Sequence, residues 1–138
     1  MISKQLEVLI INILGFNTDS EMRVYDYNNI PFTINGMPTY INIYGNHLED
    51  ALDLDIVNDI YDTVNLFEHV IYNMYERNGI RVYAYYTELD GNKLSVNIKT
   101  ECNLITSKSY NNHCLAYIDI LLKLFDVDID LSKYDKGV

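Results

Sequence analysis

An alternating run of carboxylates is the first group of residues whose spacing suggests chemistry. The run DVDID at residues 126–130 has acids at positions one, three and five of a calcium-binding loop. Such a loop needs glycine at its sixth position for a sharp turn and glutamate at its twelfth. Those positions hold Leu131 and Gly137. The sequence therefore predicts no calcium site in this run.

Cysteine and histidine residues could form a zinc site or a nucleophile–base pair. Cys102 is well separated in sequence from His113 and Cys114, so the paired short spacings of a zinc site are missing. Cys114 could act as a nucleophile if the fold placed His47 or His69 beside it, but residue type alone is no evidence for that arrangement. We therefore expect a protein without enzymatic activity, bound metal or cofactor.

The composition indicates a single acidic domain spanning residues 1–138. Hydrophobic residues make up 49% of the 138 positions, which is too many for an intrinsically disordered chain. The 20 acidic residues against 10 basic ones give a formal net charge of -10. Because phosphates repel such a chain, we expect no direct binding of nucleic acid or anionic membranes. The charge favours a basic protein as the partner.

The beginning of the chain bears on its compartment. Residues 1–16, MISKQLEVLIINILGF, are apolar enough to suggest a signal peptide. However, the positive region is a single Lys4, Glu7 interrupts the apolar stretch, and no cleavage site of small residues follows. The two cysteines, Cys102 and Cys114, are too few for a disulfide scaffold. These features predict a cytoplasmic protein.

Two similar pentapeptides suggest an internal duplication. RVYDY occupies residues 23–27, and RVYAY occupies residues 81–85. The proposed pseudo-repeats span about 22–77 and 80–125, and the extra residues of the first repeat fall near Pro31. Self-similarity of this kind is typical of a structural unit used twice.

A hairpin signal follows each pentapeptide. Asn-Gly at 35–36 precedes YINIY at 40–44, and Asp-Gly at 90–91 precedes SVNIK at 95–99. Both dipeptides are common in two-residue turns that need positive φ. The sequence thus predicts two hairpins that together form a four-stranded antiparallel sheet.

Helical periodicity follows each hairpin and also begins the chain. Helices are predicted over about 53–77, over about 111–125 and over residues 1–14, because apolar residues recur there at gaps of three and four. The predicted fold class is α+β: an N-terminal helix followed by two ββα units, whose helices pack on the sheet. In the middle helix the apolar stripe is Ile56, Ile60, Val64, Phe67, Ile71 and Met74.

Strand alternation sorts the hairpin residues onto two faces. The core side is predicted to carry Ile80, Val82, Ala84, Leu94, Val96 and Ile98, together with Met22, Val24, Asp26, Ile41 and Ile43. The opposite face would carry Arg23, Arg81 and the candidate binding residues Tyr25, Tyr27, Tyr40, Tyr44, Tyr83 and Tyr85. This tyrosine face could bind a partner, form a symmetric homodimer or lie buried under the N-terminal helix.

A second candidate surface is electrostatic. Between Val24 and Glu76 the chain has no lysine or arginine. The candidate partner-binding acids of this stretch are Glu49, Asp50, Asp53, Asp55, Asp59 and Asp62. Three of them, Asp55, Asp59 and Asp62, have helical spacing and are predicted to form an acidic ridge on the middle helix. The alternative is an ordinary solvent-exposed helix face, whose acids lie near the N-terminus because the helix dipole stabilises negative charge there.

These features predict a small acidic, non-enzymatic inhibitor that occludes a basic nucleic-acid-binding surface of its target, such as a nuclease effector, by charge mimicry. Small acidic inhibitors of this kind include the anti-CRISPR and anti-restriction proteins. The frequent use of Asn, Ile, Tyr and Lys suggests an AT-rich genome, which fits a phage or mobile element. The alternatives are a homodimeric structural or interaction module, an immunity protein that binds a basic nuclease toxin, and an enzyme whose site shows no recognised motif.

Overall fold

The computed structural model describes residues 4–26, 28–34, 36–40 and 58–135. Within these ranges the chain has three helices and short antiparallel sheets, which confirms the α+β class. Part of the predicted strand 40–44 and the start of the predicted helix at 53–57 lie outside the described residues.

The helices are α1 at Lys4–Ile13, α2 at Ile60–Asn78 and α3 at His113–Leu124. Gly79 ends α2 with φ +69°, in the left-handed region that a glycine after a helix commonly adopts. In α3 the residues from Cys114 to Leu122 and Leu124 are buried, so this helix lies at the centre of the core.

The second half of the chain forms a three-stranded sheet. Its strands are β5 at Val82–Asp90, β6 at Lys93–Thr100 and β7 at Leu104–Thr106, in the order β5-β6-β7. Gly91 and Asn92 join β5 to β6, and Gly91 has φ +63°. A glycine at this first loop position suits the two-residue turns that connect antiparallel strands. The strand β7 was not predicted, because its residues LIT are too few to show alternation.

The first half forms two small antiparallel pairs. One joins β1 at Asn17–Thr18 to β2 at Val24–Tyr25, and the other joins β3 at Thr33–Ile34 to β4 at Met37–Pro38. Residues 31–38 thus build a hairpin of their own, turning at Gly36 with φ +77°, where the sequence predicted only a longer loop.

The predicted four-stranded sheet and the duplication are not confirmed. Arg23 does bridge to Tyr40, and Val24 N donates to Thr39 O at 2.9 Å, as an antiparallel pairing of these segments requires. Phe32 N also donates to Val24 O at 2.8 Å, so the inserted hairpin 31–38 shares β2 with residues 39–40. Among the described residues, no strand of this half pairs with β5, β6 or β7.

The buried face of α1 includes a carboxylate and leaves out one leucine. Ile10, Ile11 and Leu14 are buried as part of the core, and the carboxylate residue Glu7 is buried beside them. Leu9, one of the apolar residues of this helix, is 48% exposed. The apolar residues of this helix outnumber the positions that one face can bury, so periodicity alone could not identify the core side.

A β-bulge changes the predicted faces of β5. Val82 pairs with Thr100 and Ala84 pairs with Lys99, so Tyr83 is an additional residue on β5. An added residue reverses the alternation that follows it. Ala84, predicted to face the core, is therefore exposed, and Tyr85, predicted for the outer face, turns inward.

The described part of the chain contains no helix that combines the length and the apolar character needed to span a bilayer.

Candidate functional site

The outward side of α2 presents the best-defined candidate surface. We call it the α2 face and define it by Tyr61, Asn65, Glu68 and Tyr72, whose spacings of four, three and four place them in one row along the helix. Tyr61 is 54% exposed and Tyr72 is 70% exposed. Two such large side chains on one helix row offer apolar area together with hydroxyl groups, which is typical of interface anchors.

Hydrogen bonds within the α2 face hold its side chains in place. The Tyr72 hydroxyl donates to Glu68 Oε2 at 2.9 Å, and Asn65 Nδ2 donates to the Tyr61 carbonyl at 2.9 Å. The pKa of Tyr72 is raised above its ordinary value mainly by the hydrogen bond to Glu68 and, to a smaller extent, by burial. This hydrogen bond fixes the position of the Tyr72 ring beside a carboxylate, a group that forms strong charge-assisted hydrogen bonds with cations.

The start of α2 concentrates negative charge. Asp59 is the residue before the helix, and its Oδ1 accepts from Tyr61 N at 2.9 Å, as an N-cap does. The Thr63 hydroxyl also donates to the Asp59 carbonyl, at 2.9 Å. Asp62 follows in the first turn and is half-buried. Both carboxylates lie at the positive end of the helix dipole, which stabilises them there.

The predicted acidic ridge is therefore described only in part. The helix begins at Ile60, so Asp59 does not lie within it as predicted. It precedes the helix as a cap, because its carboxylate accepts from a backbone N–H group that has no partner within the helix. Glu49, Asp50, Asp53 and Asp55 lie outside the described residues.

The predicted tyrosine face is divided between two places. Tyr25 is half-buried with the Arg23 guanidinium 5.9 Å from its ring centre, and Tyr40, which bridges to Arg23, is 40% exposed. The pKa of Tyr25 is raised mainly by burial and, to a smaller extent, by a hydrogen bond to the Asp19 carboxylate. On the other sheet Tyr83 is 65% exposed, while the Tyr85 ring packs edge-on against Phe67 at 4.9 Å.

Tyr27 and Tyr44 lie outside the described residues. The role of this face in binding stays a prediction, and Tyr85, one of its predicted residues, is partly buried and packs against the core.

A buried Asp26–His69 pair joins the loop after β2 to the middle of α2. Asp26 is 4% exposed, and its Oδ2 lies 3.0 Å from His69 Nε2. The imidazole packs between the rings of Phe16 at 5.6 Å and Phe32 at 5.3 Å. Sequence reasoning missed this pair. An acid on the predicted core side was a signal that Asp26 needed a partner, but no spacing rule could identify a histidine 43 positions away.

Several of the residues considered for chemistry are engaged in hydrogen bonds that stabilise the fold. His69 Nε2 is occupied by Asp26, and His113 Nε2 lies 3.0 Å from the Asn92 carbonyl. The Asp130 carboxylate accepts from the hydroxyl and N–H of Ser132, and the hydroxyl bond is the main cause of its lowered pKa. Over the described ranges, no three His, Cys, Asp or Glu residues are grouped closely enough to hold a metal ion.

Comparisons with known proteins add no relative. The chain matches no family model, no curated protein and no solved structure at a significant level. The α2 face is therefore a candidate on its geometry and charge alone.

Proposed function

We propose that this protein is a non-enzymatic inhibitor that covers a basic nucleic-acid-binding surface of a target protein by charge mimicry. The single observation that carries the proposal is the α2 face, with exposed tyrosines beside Glu68 and with Asp59 and Asp62 at its start. No lysine or arginine occurs between Arg23 and Arg77, so this part of the chain supplies no cation of its own to neutralise these acids.

The spacing of the acids suits a surface that binds phosphates. At a rise of about 1.5 Å per residue, Asp62 lies about 4.5 Å along the axis from Asp59, and Glu68 about 9 Å further. Phosphates of one DNA strand repeat about every 3.4 Å along the axis. Three carboxylates thus occupy an axial length of about 13.5 Å, over which one DNA strand has about five phosphates, so the match is only one of charge sign and approximate density. Tyr61 and Tyr72 add apolar contact area beside these charges.

The net charge of -10 supports the same proposal through long-range electrostatic attraction. A chain of this charge is attracted to a cationic groove before contact, which speeds association at low salt. An inhibitor of this kind acts by occupancy and needs no catalytic group. A phage or mobile element that opposes CRISPR or restriction enzymes is the origin we propose, with a basic nuclease effector as the target class.

The proposal is tested with a triple variant, called the α2-face variant, which combines Asp59→Asn and Asp62→Asn at the start of α2 with Glu68→Gln on the α2 face. Asparagine keeps the helix cap at 59, and glutamine still accepts from the Tyr72 hydroxyl, so the fold is preserved while three charges are lost. The matched control is Glu101→Gln, Asp126→Asn and Asp128→Asn, which removes three exposed acids elsewhere. Asparagine also tolerates the positive φ of +58° at position 126.

The measurement has two steps. Basic proteins retained by the immobilised chain at low salt are identified from a lysate of a low-GC bacterium, and their binding to a labelled DNA duplex is then measured with the chain present. We expect the wild type to displace the duplex, the α2-face variant to need about tenfold more protein and the control variant to match the wild type. The proposal is wrong if retained proteins keep their duplex at saturating chain, if the two variants behave alike, or if no nucleic-acid-binding protein is retained.

A further inference from the structure

The hydrogen-bond pattern of β6 shows which of its backbone groups point away from β5. Leu94 N donates to the Tyr110 carbonyl at 2.9 Å, and Ser107 N donates to the Val96 carbonyl at 2.9 Å. Both partners lie on the β7 side of the sheet. Because backbone groups of successive residues point to opposite sides of a strand, Ser95 directs its N–H and carbonyl toward β5.

The same alternation defines the outer edge of β5. Glu88 pairs with Ser95, so its backbone groups bond inward to β6. Tyr85, Thr87 and Leu89 stand at the intervening positions, and their N–H and carbonyl groups point outward. Among the described residues these groups have no backbone partner, since β5 is the first strand in the order β5-β6-β7. Within the described part of the chain, the edge is therefore an open template for another strand.

The edge has only some of the features that usually protect such strands: a bulge at its beginning and two acids, Glu88 and Asp90, toward its end. Its sequence, VYAYYTELD, has no proline, lysine or arginine over nine residues. The bulge at Tyr83 affects only its beginning, and Thr87 and Glu88 are exposed. Leu89 stands on the side of β5 that faces the core near Tyr85, yet it is 67% exposed. An aliphatic side chain at this position leaves apolar area that a further strand would cover.

We propose that the outer edge of β5 pairs antiparallel with the same edge of a second copy of this chain, with Thr87 on the two-fold axis. In this register the outward backbone groups of Thr87 bond to those of the second Thr87, and Leu89 lies opposite Tyr85. The two three-stranded sheets then form one continuous sheet, and the exposed Leu89 gains an aromatic neighbour.

Charge selects this register over its neighbours. With Thr87 on the axis, Glu88 lies opposite Tyr86 and Asp90 opposite Ala84, so no acid faces an acid. A shift that puts Leu89 on the axis would set Glu88 against Asp90, which is destabilising. A shift to Tyr85 would place Thr87 opposite Tyr83, where the bulge disturbs the outward groups.

The net charge of -10 on each copy opposes association in dilute buffer. Salt screens that repulsion within about 8 Å at physiological ionic strength. Pairing through β5 therefore strengthens as salt rises, whereas binding of a basic partner to the α2 face weakens. The two proposals use different surfaces and respond to salt in opposite directions, so each can fail without the other.

A proline substitution tests the edge. Thr87→Pro removes an outward N–H without removing one that bonds to β6, and Thr87→Ala is the control that keeps it. Sedimentation of the full chain at high salt is expected to show a dimer for the wild type and the alanine variant. The proline variant loses two hydrogen bonds at the axis, so we expect a Kd about thirtyfold higher or more. A circular dichroism melt confirms that the proline variant folds.

Disulfide cross-linking tests the register without depending on the proline variant. In a Cys102→Ser background, which removes the exposed native thiol, Thr87→Cys is compared with Leu89→Cys. Residues opposite each other in a hydrogen-bonded pair have Cα atoms about 5.5 Å apart, within disulfide range, so Cys at 87 is expected to cross-link two copies on mild oxidation. The two residues at 89 are offset by four positions, about 14 Å along the strand, and stay reduced.

Three results overturn the proposal: a wild-type chain that remains monomeric at high salt, a dimer that Thr87→Pro does not weaken, or cross-linking at 89 as fast as at 87. A wild-type chain that stays monomeric at high salt is also the result expected if the natural occupant of the edge is a strand of a different protein. A dimer that Thr87→Pro weakens and that cross-links selectively at 87 supports it.

Discussion

Replacing Asp26 by alanine is the most informative perturbation of the fold. Asp26 is buried, and three hydrogen bonds end on its carboxylate: Asn28 N at 2.8 Å, Ile30 N at 2.9 Å and His69 Nε2 at 3.0 Å. Its removal leaves two backbone N–H groups and one imidazole nitrogen without that acceptor. The loop after β2 and the middle of α2 then lose the contact that joins them.

The size of the effect follows from these three bonds. All three bonds end on the same carboxylate, and hydrogen bonds to charged groups contribute roughly 1.5 kcal/mol or more each. The sum is about 4.5 kcal/mol, close to the loss found when one partner of a buried pair is removed. That is a large part of the stability of a domain of this size, and it lowers the Tm by about 15 °C.

The chain offers a matched control in Asp19. Its Oδ1 also accepts from the N–H groups two and four residues later, Glu21 and Arg23, and its Oδ2 accepts from Arg23 Nε at 3.0 Å. The Asp19 side chain is 28% exposed, against 4% for Asp26. Water can replace the lost bonds at Asp19, so Asp19→Ala is expected to cost much less.

Chemical denaturation of the wild type, Asp26→Ala and Asp19→Ala measures both effects. Equal losses of unfolding free energy would refute the reasoning, since the two carboxylates differ mainly in burial. The double variant Asp26→Ala, His69→Ala gives the coupling between the two residues, which we expect to be favourable.

Two further predictions concern aromatic residues. Burial, followed by the Asp119 carboxylate, raises the pKa of Tyr110 above its ordinary value of 10, so its contribution to stability is present below pH 10 and is lost as the pH rises beyond that. Denaturation at pH of about 8 and about 11 should show this loss, and Tyr110→Phe should reduce it; equal alkaline losses would contradict the assignment. Tyr85→Ala removes a ring packed on Phe67 and should cost about 2 kcal/mol, whereas Tyr83→Ala, at an exposed position, should stay within about 0.5 kcal/mol. Equal costs in urea denaturation would mean that the bulge does not turn Tyr85 inward.

The helices are largely predictable from the sequence, because apolar residues repeat at helical spacing and clear end signals follow. Val64, Phe67 and Ile71 belong to the predicted stripe of α2 and pack in or against the core, and Gly79 ends the helix as expected. The hairpin turns are predictable for a similar reason: Gly36 and Gly91 both have the positive φ that their turns need.

The sheet is less predictable, because single residues change its register without an obvious sequence signal. Nothing in the letters RVYAY indicates that Tyr83 is an additional residue, yet it moves Tyr85 to the other face. The short hairpin 31–38 also takes up bonds that the simple pairing of β2 would use. Tertiary contacts decide such details, and local alternation does not contain them.

The candidate site was predictable only as a tendency. The absence of lysine and arginine between Arg23 and Arg77 indicates an acidic surface, but not that Asp59 would cap a helix. The row formed by Tyr61, Glu68 and Tyr72 was in the sequence at helical spacing, and only its exposure, visible in the structure, separates it from a core stripe.

The near-complete burial of α3 has a consequence during synthesis. Residues from His113 onward leave the ribosome after α2, β6 and β7 have emerged, yet those elements pack against this helix. Until it arrives, the nascent chain must keep the apolar sides of α2 and β6 in contact with water or with a chaperone. The packing of α2 and β6 against α3 therefore cannot form before α3 has been synthesised, and ribosome pausing before His113 would prolong the period in which these apolar sides can aggregate.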